Sequence, residues 1–178
     1  MTSMTSTITF PVRPATMRDA KHIAELQHTV VRDASKSTAD GATASEVPLD
    51  KRQAFWREAV EFGEPQVLVA LDGDKIVGFV GFDRSRDRGT PQTMGEIWAI
   101  YVLPSYWGRG AGSALWNSAR QGLQEEGCTQ VSIWLSLANE RALRFHERAG
   151  FKRELTSSKA VSTDKGTMEE IRLKRSLL

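Results

Sequence analysis

The chain has 178 residues, of which 40% are hydrophobic and 26% charged, and its 24 basic and 22 acidic side chains leave a formal charge of +2. This is the composition of one globular domain over residues 1–178, and it excludes a disordered chain. The charges are scattered, with no single-sign block of the kind that engages nucleic acid or a membrane surface, and no run of 18 apolar residues could span a bilayer.

The opening "MTSMTSTITF" is polar and lacks the basic start and apolar run of a signal peptide, so a cytoplasmic protein is expected. The lone Cys128 cannot form an intramolecular disulfide and is expected to be a passive thiol. After a short strand, Thr16 caps a helix with Asp19 three residues on, and Ile23, Leu26 and Val30 share one helical face. Residues 33–48, "DASKSTADGATASEVP", are small, polar and aperiodic, which predicts a mobile loop too long to be a simple connector. A second helix is expected from Asp50, with Ala54, Phe55 and Ala59 on its apolar stripe.

"QVLVALDGDKIVGFVGF" is a hairpin signal, because Asp-Gly tolerates positive φ between two β-rich runs. A charged connector leads to "GEIWAIYVLP". Strict alternation there puts Glu96, Trp98, Ile100 and Val102 on one face and Ile97, Ala99 and Tyr101 on the other. Both faces are largely apolar, so the strand is expected to be central. The next helix repeats Ala111, Leu115, Ala119 and Leu123 at fourfold spacing and stops before Gly127. A strand over 129–137 follows, then a helix capped by Asn139 with Ala142, Phe145 and Ala149 inward, and two short strands near "FKREL" and "MEEIRLKRS". Strands and helices in this order predict a mixed α/β sheet of about six or seven strands with helices on both faces.

The junction "YVLPSYWGRGAGSALW" carries glycines from a strand end into a helix start, where backbone N–H groups can hold a phosphate without side-chain charge. A P-loop would need a lysine and then Ser or Thr after its last glycine; Ser113 and Ala114 stand there instead. A dinucleotide fingerprint would need a sixth-place glycine where this chain has Ser113.

The turn resembles the acyl-CoA loop of the GNAT family of N-acetyltransferases, Gln/Arg-x-x-Gly-x-Gly/Ala, with Trp107 at the first place, Gly110 at the fourth and Gly112 at the sixth. "NERALRFHERAGF", Asn139 to Phe151, resembles the family's second signature, Asn-x-x-Ala-x-x-Phe-Tyr-x-x-x-Gly-Phe, with His146 at the tyrosine. Two signatures in the right order, joined by one helix and one strand, cover together with the flanking elements most of the chain. The resemblance implies a mostly antiparallel GNAT-like sheet whose fourth and fifth strands splay, and acetyl-CoA as cosubstrate. Residues Trp107, Gly108, Arg109, Gly110, Ala111, Gly112 and Ser113 would then hold its pyrophosphate, and Ile100, Tyr101 and Val102 with Asn139 its pantetheine arm.

The implied reaction is direct attack of a primary amine, from a small molecule or a protein, on the thioester. It implies Glu96 as base and His146 as acid for the thiolate, in place of the usual tyrosine. No metal is expected; His22 and His28 do not suggest a site. Trp56, Trp98 and Tyr101 are candidates for an aromatic wall of the acceptor pocket, and Glu58, Glu61 and Glu64 for polar contacts. The family often dimerises through its last strands, so a homodimer is expected. A catalytically silent acyl-CoA-binding module is the alternative function, with a nucleotide-binding protein behind it.

Overall fold

The computed structural model describes residues 10–37, 47–163 and 166–178. Seven strands form one sheet in the order β1-β2-β3-β4-β5-β7-β6. They are β1 Val12–Pro14, β2 Gln66–Asp72, β3 Lys75–Arg84, β4 Met94–Val102, β5 Gln130–Ser136, β6 Lys152–Thr163 and β7 Gly166–Ser176. Among the described residues four helices cover the sheet: α1 Ala20–Ser37, α2 Leu49–Phe62, α3 Ala111–Glu125 and α4 Glu140–Arg148. β4 and β5 pair in parallel and the other neighbours antiparallel, which is the expected mixed class. Among the described residues, no helix is long and apolar enough to cross a membrane.

Each face of the sheet carries its own core. On one side Ala111, Leu115, Ala119 and Leu123 of α3, all at most 1% exposed, pack with Leu143 of α4 against Ile97, Val131, Ile133 and Leu173. On the other, Ile23 and Leu26 of α1 and Trp56 and Ala59 of α2 pack against Val69, Phe79 and Ala99. Each large side chain removed from water in this way contributes on the order of 1.5–3 kcal/mol. Cys128 is buried beside α3 and unpaired, and burial pushes its thiol up from the ordinary value.

Several local expectations are corrected. Residues 33–37 of the expected loop continue helix α1, since Ala and Lys favour it, while 38–46 lie outside the described residues. The buried stripe of α2 is Arg52, Trp56 and Ala59, and Phe55 is exposed. In α4 the buried positions are Leu143 and His146, with Phe145 and Ala149 flanking them. The last two strands form a long hairpin, with an irregularity between Glu154 and Lys159, rather than two short segments.

The largest correction concerns β4. Gly81 pairs with Ala99 and Phe82 with Ile97, so Trp98 is an extra residue, a β-bulge. Alternation restarts past it: Ile97, Ile100 and Val102 enter the α3/α4 core, while Ala99 and Tyr101 enter the α1/α2 core. Two apolar faces concealed the bulge from a hydropathy reading.

Candidate active site

β4 and β5 stay paired only from Met94↔Gln130 to Glu96↔Ser132, although β4 runs on to Val102 and β5 to Ser136. β5 keeps its pairing with β7 through Ser136, while β4 keeps β3 and bends at the Trp98 bulge. The strands therefore part, and one edge of β4 lies open along the cleft. Leu103 N–H donates to Val77 O at 2.9 Å, toward β3. By alternation the main-chain groups of Tyr101 also face β3, and those of Ile100 and Val102 face the cleft. Of the three residues expected at this edge, Tyr101 thus offers a side chain rather than main-chain groups. Val102 O is already engaged by the indole N–H of Trp107 at 2.8 Å. Ile100 has both groups directed into the cleft.

The glycine turn follows at the open end. Gly108 and Gly110 have φ of 71° and 98°, left-handed values that would strain a residue bearing a Cβ. Ala114 N–H is the first to bond back, to Gly110 O at 3.0 Å. Among the described residues, none of the six N–H groups from Gly108 to Ser113 donates to another protein group. They form an anion cradle reinforced by the N-terminus of α3. A Cβ on Gly112 would lie 3.1 and 3.2 Å from ring atoms of Phe145, so the two sequence signatures touch directly. Arg109 is exposed and lies 4.6 Å over the Tyr106 ring, beside the cradle. Across the cleft Asn139 caps α4, its side-chain oxygen accepting from Ala142 N–H at 3.2 Å.

Glu96 sits where β4 and β5 part, 2% exposed, and both its oxygens are engaged. Arg86 donates its backbone N–H to Oε1 at 2.9 Å and its Nη2 to Oε2 at 2.7 Å. Arg86 also stacks 3.9 Å over the Trp98 ring. Its loop is anchored next door: Asp87 accepts from Trp134 Nε1 at 3.0 Å and Arg172 Nη1 at 3.0 Å, and Arg172 reaches Glu154 at 2.8 Å. Both carboxylate oxygens are thus committed to Arg86, and a role for Glu96 as base would require that clasp to open. What read as a plain charged connector is therefore a tethered loop, and the carboxylate clasps it to β4.

His146 is enclosed as well. It is 2% exposed, edge-on to Phe145 and Phe151, and its Nδ1–H donates to Ala142 O at 2.8 Å. Burial holds its pKa below the ordinary value, with the Ala142 contact acting in the opposite direction. A neutral imidazole whose only N–H is committed to a carbonyl has a bare Nε2 and no proton to give.

A cavity of about 370 Å³ opens on the α1/α2 face of β4. Trp56, Trp98 and Tyr101, expected as an aromatic wall, all line it, and Phe55 joins them. Glu58, Glu61 and Glu64 do not, and among the described residues no carboxylate lines it. Its charged groups are Lys51, Arg52 and Arg86. Burial lowers the pKa of Arg52, with Tyr101 acting in the opposite direction, and burial raises that of the Tyr101 phenol against the pull of Gln27 and Arg52. Arg52 escaped the sequence reading because an arginine does not look like a core position; its spacing of four and seven from Trp56 and Ala59 was the available signal. A second cavity, about 460 Å³, touches β4 only at Leu103 past the strand end and mixes charges of both signs, among them Arg18, Glu25 and Lys75.

A strand whose edge lines an open cleft and whose face lines a cavity can bring two ligands together. The profile of the acetyltransferase (GNAT) family matches residues 29–151. A mycothiol acetyltransferase of Propionibacterium freudenreichii is 31% identical over 127 residues, 71% of this chain and 36% of that protein, so the chain spans about a third of that relative's length. A phosphinothricin N-acetyltransferase of Streptomyces coelicolor is 29% identical over 151 residues, 84% of this chain and 85% of that one. Among solved structures, an acetyltransferase from Salmonella typhimurium with its cofactor acetyl-CoA superposes with a TM-score of 0.74 at 22% identity, over 96% of this chain and 95% of that one. At that identity the superposition speaks to the fold.

Proposed function

The chain belongs to the acetyltransferase (GNAT) family, and from that premise we propose that it is an acetyl-CoA-dependent N-acetyltransferase acting on a primary amine by direct attack in a ternary complex. One observation carries the reading: β4 is shared, its cleft edge unpaired with β5 from Ile97 to Val102 and one of its faces lining the cavity. The thioester's pantetheine arm would lie along the free edge, hydrogen-bonded to Ile100 as an added strand, with its pyrophosphate in the N–H cradle of residues 108–113. Asn139 would meet the arm through its side-chain NH2, since its oxygen serves the helix cap.

The amine nitrogen attacks the carbonyl carbon, the C–S bond breaks, and the thiolate leaves with its electron pair to be protonated as CoA thiol. A thiol of pKa about 8.5 leaves without a dedicated acid, which suits a site where His146 has no proton to offer. The amine must arrive neutral, and a cavity whose described lining bears cations and no carboxylate lowers the pKa of a bound ammonium, so its proton passes to water. Glu96 acts at one remove, by fixing Arg86 and the loop beside the cavity. We further read the protein as one domain acting in the cytoplasm, where a free, buried Cys128 is at home, and as a homodimer through its last strands.

The test is release of free CoA thiol from acetyl-CoA, with and without primary amines spanning amino acids, polyamines, aminoglycosides and short peptides. Amine-dependent release is expected. Calorimetric binding of acetyl-CoA without release for any amine would instead favour the silent acyl-CoA-binding module.

A further inference from the structure

Arg52 presents an arrangement that the reaction scheme leaves unexplained. Its side chain, on the buried stripe of α2, is 5% exposed. Its Nη2 has no hydrogen-bond partner, its Nε reaches Val47 O only at 3.4 Å, and it forms no ion pair. The other arginine in the described cavity lining, Arg86, is matched by Glu96. A guanidinium taken out of water without a counter-charge is costly. A second buried donor is orphaned on the same wall: the indole N–H of Trp98, the bulge residue of β4, also lacks a partner. The two residues that carry these unpaired donors, one of them charged, line a cavity with no carboxylate among the described residues, and Lys51 adds a further cation to its lining.

We propose that the acceptor amine itself carries an anion, a carboxylate, which pairs with Arg52 and accepts from Trp98 inside this cavity. The inference rests on the transferase reading and narrows its substrate to amino-acid-like amines. The planar guanidinium suits a carboxylate in two-pronged contact. The aromatic rings of Phe55, Trp56 and Tyr101 would cover the apolar part of the same molecule. Polyamines, with several cations and no anion, are disfavoured by the same field.

The full chain is assayed with matched pairs of α-amino acids and their carboxamides, spanning small, apolar and polar side chains. The amides carry the more acidic ammonium and so start with the chemical advantage. The expected result is nevertheless a kcat/KM ratio favouring the carboxylate by at least about tenfold, as for a charge-assisted hydrogen bond. In Arg52→Gln that ratio collapses, Arg52→Lys recovers part of it, and Trp98→Phe lowers it. A ratio at or below one, or one that survives Arg52→Gln, overturns the proposal.

If acetyl-CoA binds but no amine is acetylated, the transferase reading fails, and equilibrium binding of the same pairs, followed by tryptophan fluorescence, decides the anion site alone. Carboxylate-selective binding that is lost in Arg52→Gln upholds it, and the absence of selectivity overturns it. Thermal unfolding separates this role from a structural one. Without ligand, Arg52→Gln should melt higher than the wild type, because an unpaired buried charge is removed; added carboxylate should raise the wild-type melting temperature and leave the variant's where it was. A lower melting temperature for Arg52→Gln would make the arginine structural.

Discussion

The guanidinium of Arg141 lies 3.3 Å from the centroid of the Trp107 ring. It joins the first turn of α4 to the glycine turn, the elements that follow β5 and β4 where those strands part. Trp107 holds a second contact, donating its indole N–H to Val102 O on the open edge. One side chain thus ties the glycine turn both to α4 and to the open edge of β4, a role for a tryptophan at the first place of the loop signature.

Trp107→Ala removes both contacts, and Trp107→Phe keeps the stack while freeing the Val102 carbonyl. A cation–π contact contributes about 0.5–2 kcal/mol and the hydrogen bond about 1 kcal/mol. Calorimetry should therefore find acetyl-CoA binding weakened about tenfold or more by the alanine variant and less by the phenylalanine one. Equal affinities in all three proteins would remove this tie from the binding site.

Gly110 has nothing within 4 Å of where its Cβ would stand, so space is not its constraint; its φ of 98° is. Gly110→Ala is expected to cost about 1–2 kcal/mol in backbone strain, seen as a lower urea midpoint. If the turn relaxes instead, the N–H groups of 108–113 lose their convergence, and acetyl-CoA affinity falls while stability is kept. A variant unchanged in both would show that the left-handed turn matters to neither.

Removing Arg86 strands the Glu96 carboxylate at 2% exposure with only one backbone N–H. Arg86→Ala should destabilise by about 2–3 kcal/mol, tempered by the half-exposed position of the arginine. The double variant Arg86→Ala/Glu96→Gln should recover part of that loss, because no buried charge remains. Glu96→Gln alone should keep the rise of kcat/KM with pH that follows deprotonation of the amine. Loss of that rise in Glu96→Gln would restore the glutamate as the base.

His146 links folding to pH. Burial depresses its folded pKa below the unfolded value near 6.5, so the unfolded chain binds the proton first as pH falls. Stability from this group is complete above about pH 6.5 and is lost as pH falls from there through the lower folded value. His146→Phe, which cannot titrate, should lose less stability than the wild type between pH 7.5 and 5 in urea unfolding. Asp19 and Glu154, held low by Arg13 and Arg172, lose their contributions in a more acidic window and cancel in the difference. A parallel pH dependence in the two proteins would contradict the buried, neutral histidine. Turnover should change little in His146→Phe, whereas selective loss of kcat would return it to an acid role.

Whatever is set by neighbours a few residues apart was legible in the sequence. The hairpin at Asp72–Lys75 follows from Asp-Gly chemistry and the core face of α3 from fourfold spacing. The cradle follows from glycines at a strand-to-helix junction, and with the second signature these fixed the family and the fold class. Tertiary packing decided the rest, since each remaining feature depends on segments far apart in the chain. The bulge at Trp98 exists through pairing with Gly81 and Phe82, and it decides which residues of β4 face the cleft and which face the cavity. Glu96 and His146 stand on the elements where the sequence puts them, but only folding brings Arg86 onto the one and Phe151 against the other. Arg52 acquires meaning only once α2 lies on the sheet, because a charge has no counter-charge to lack until folding removes it from water.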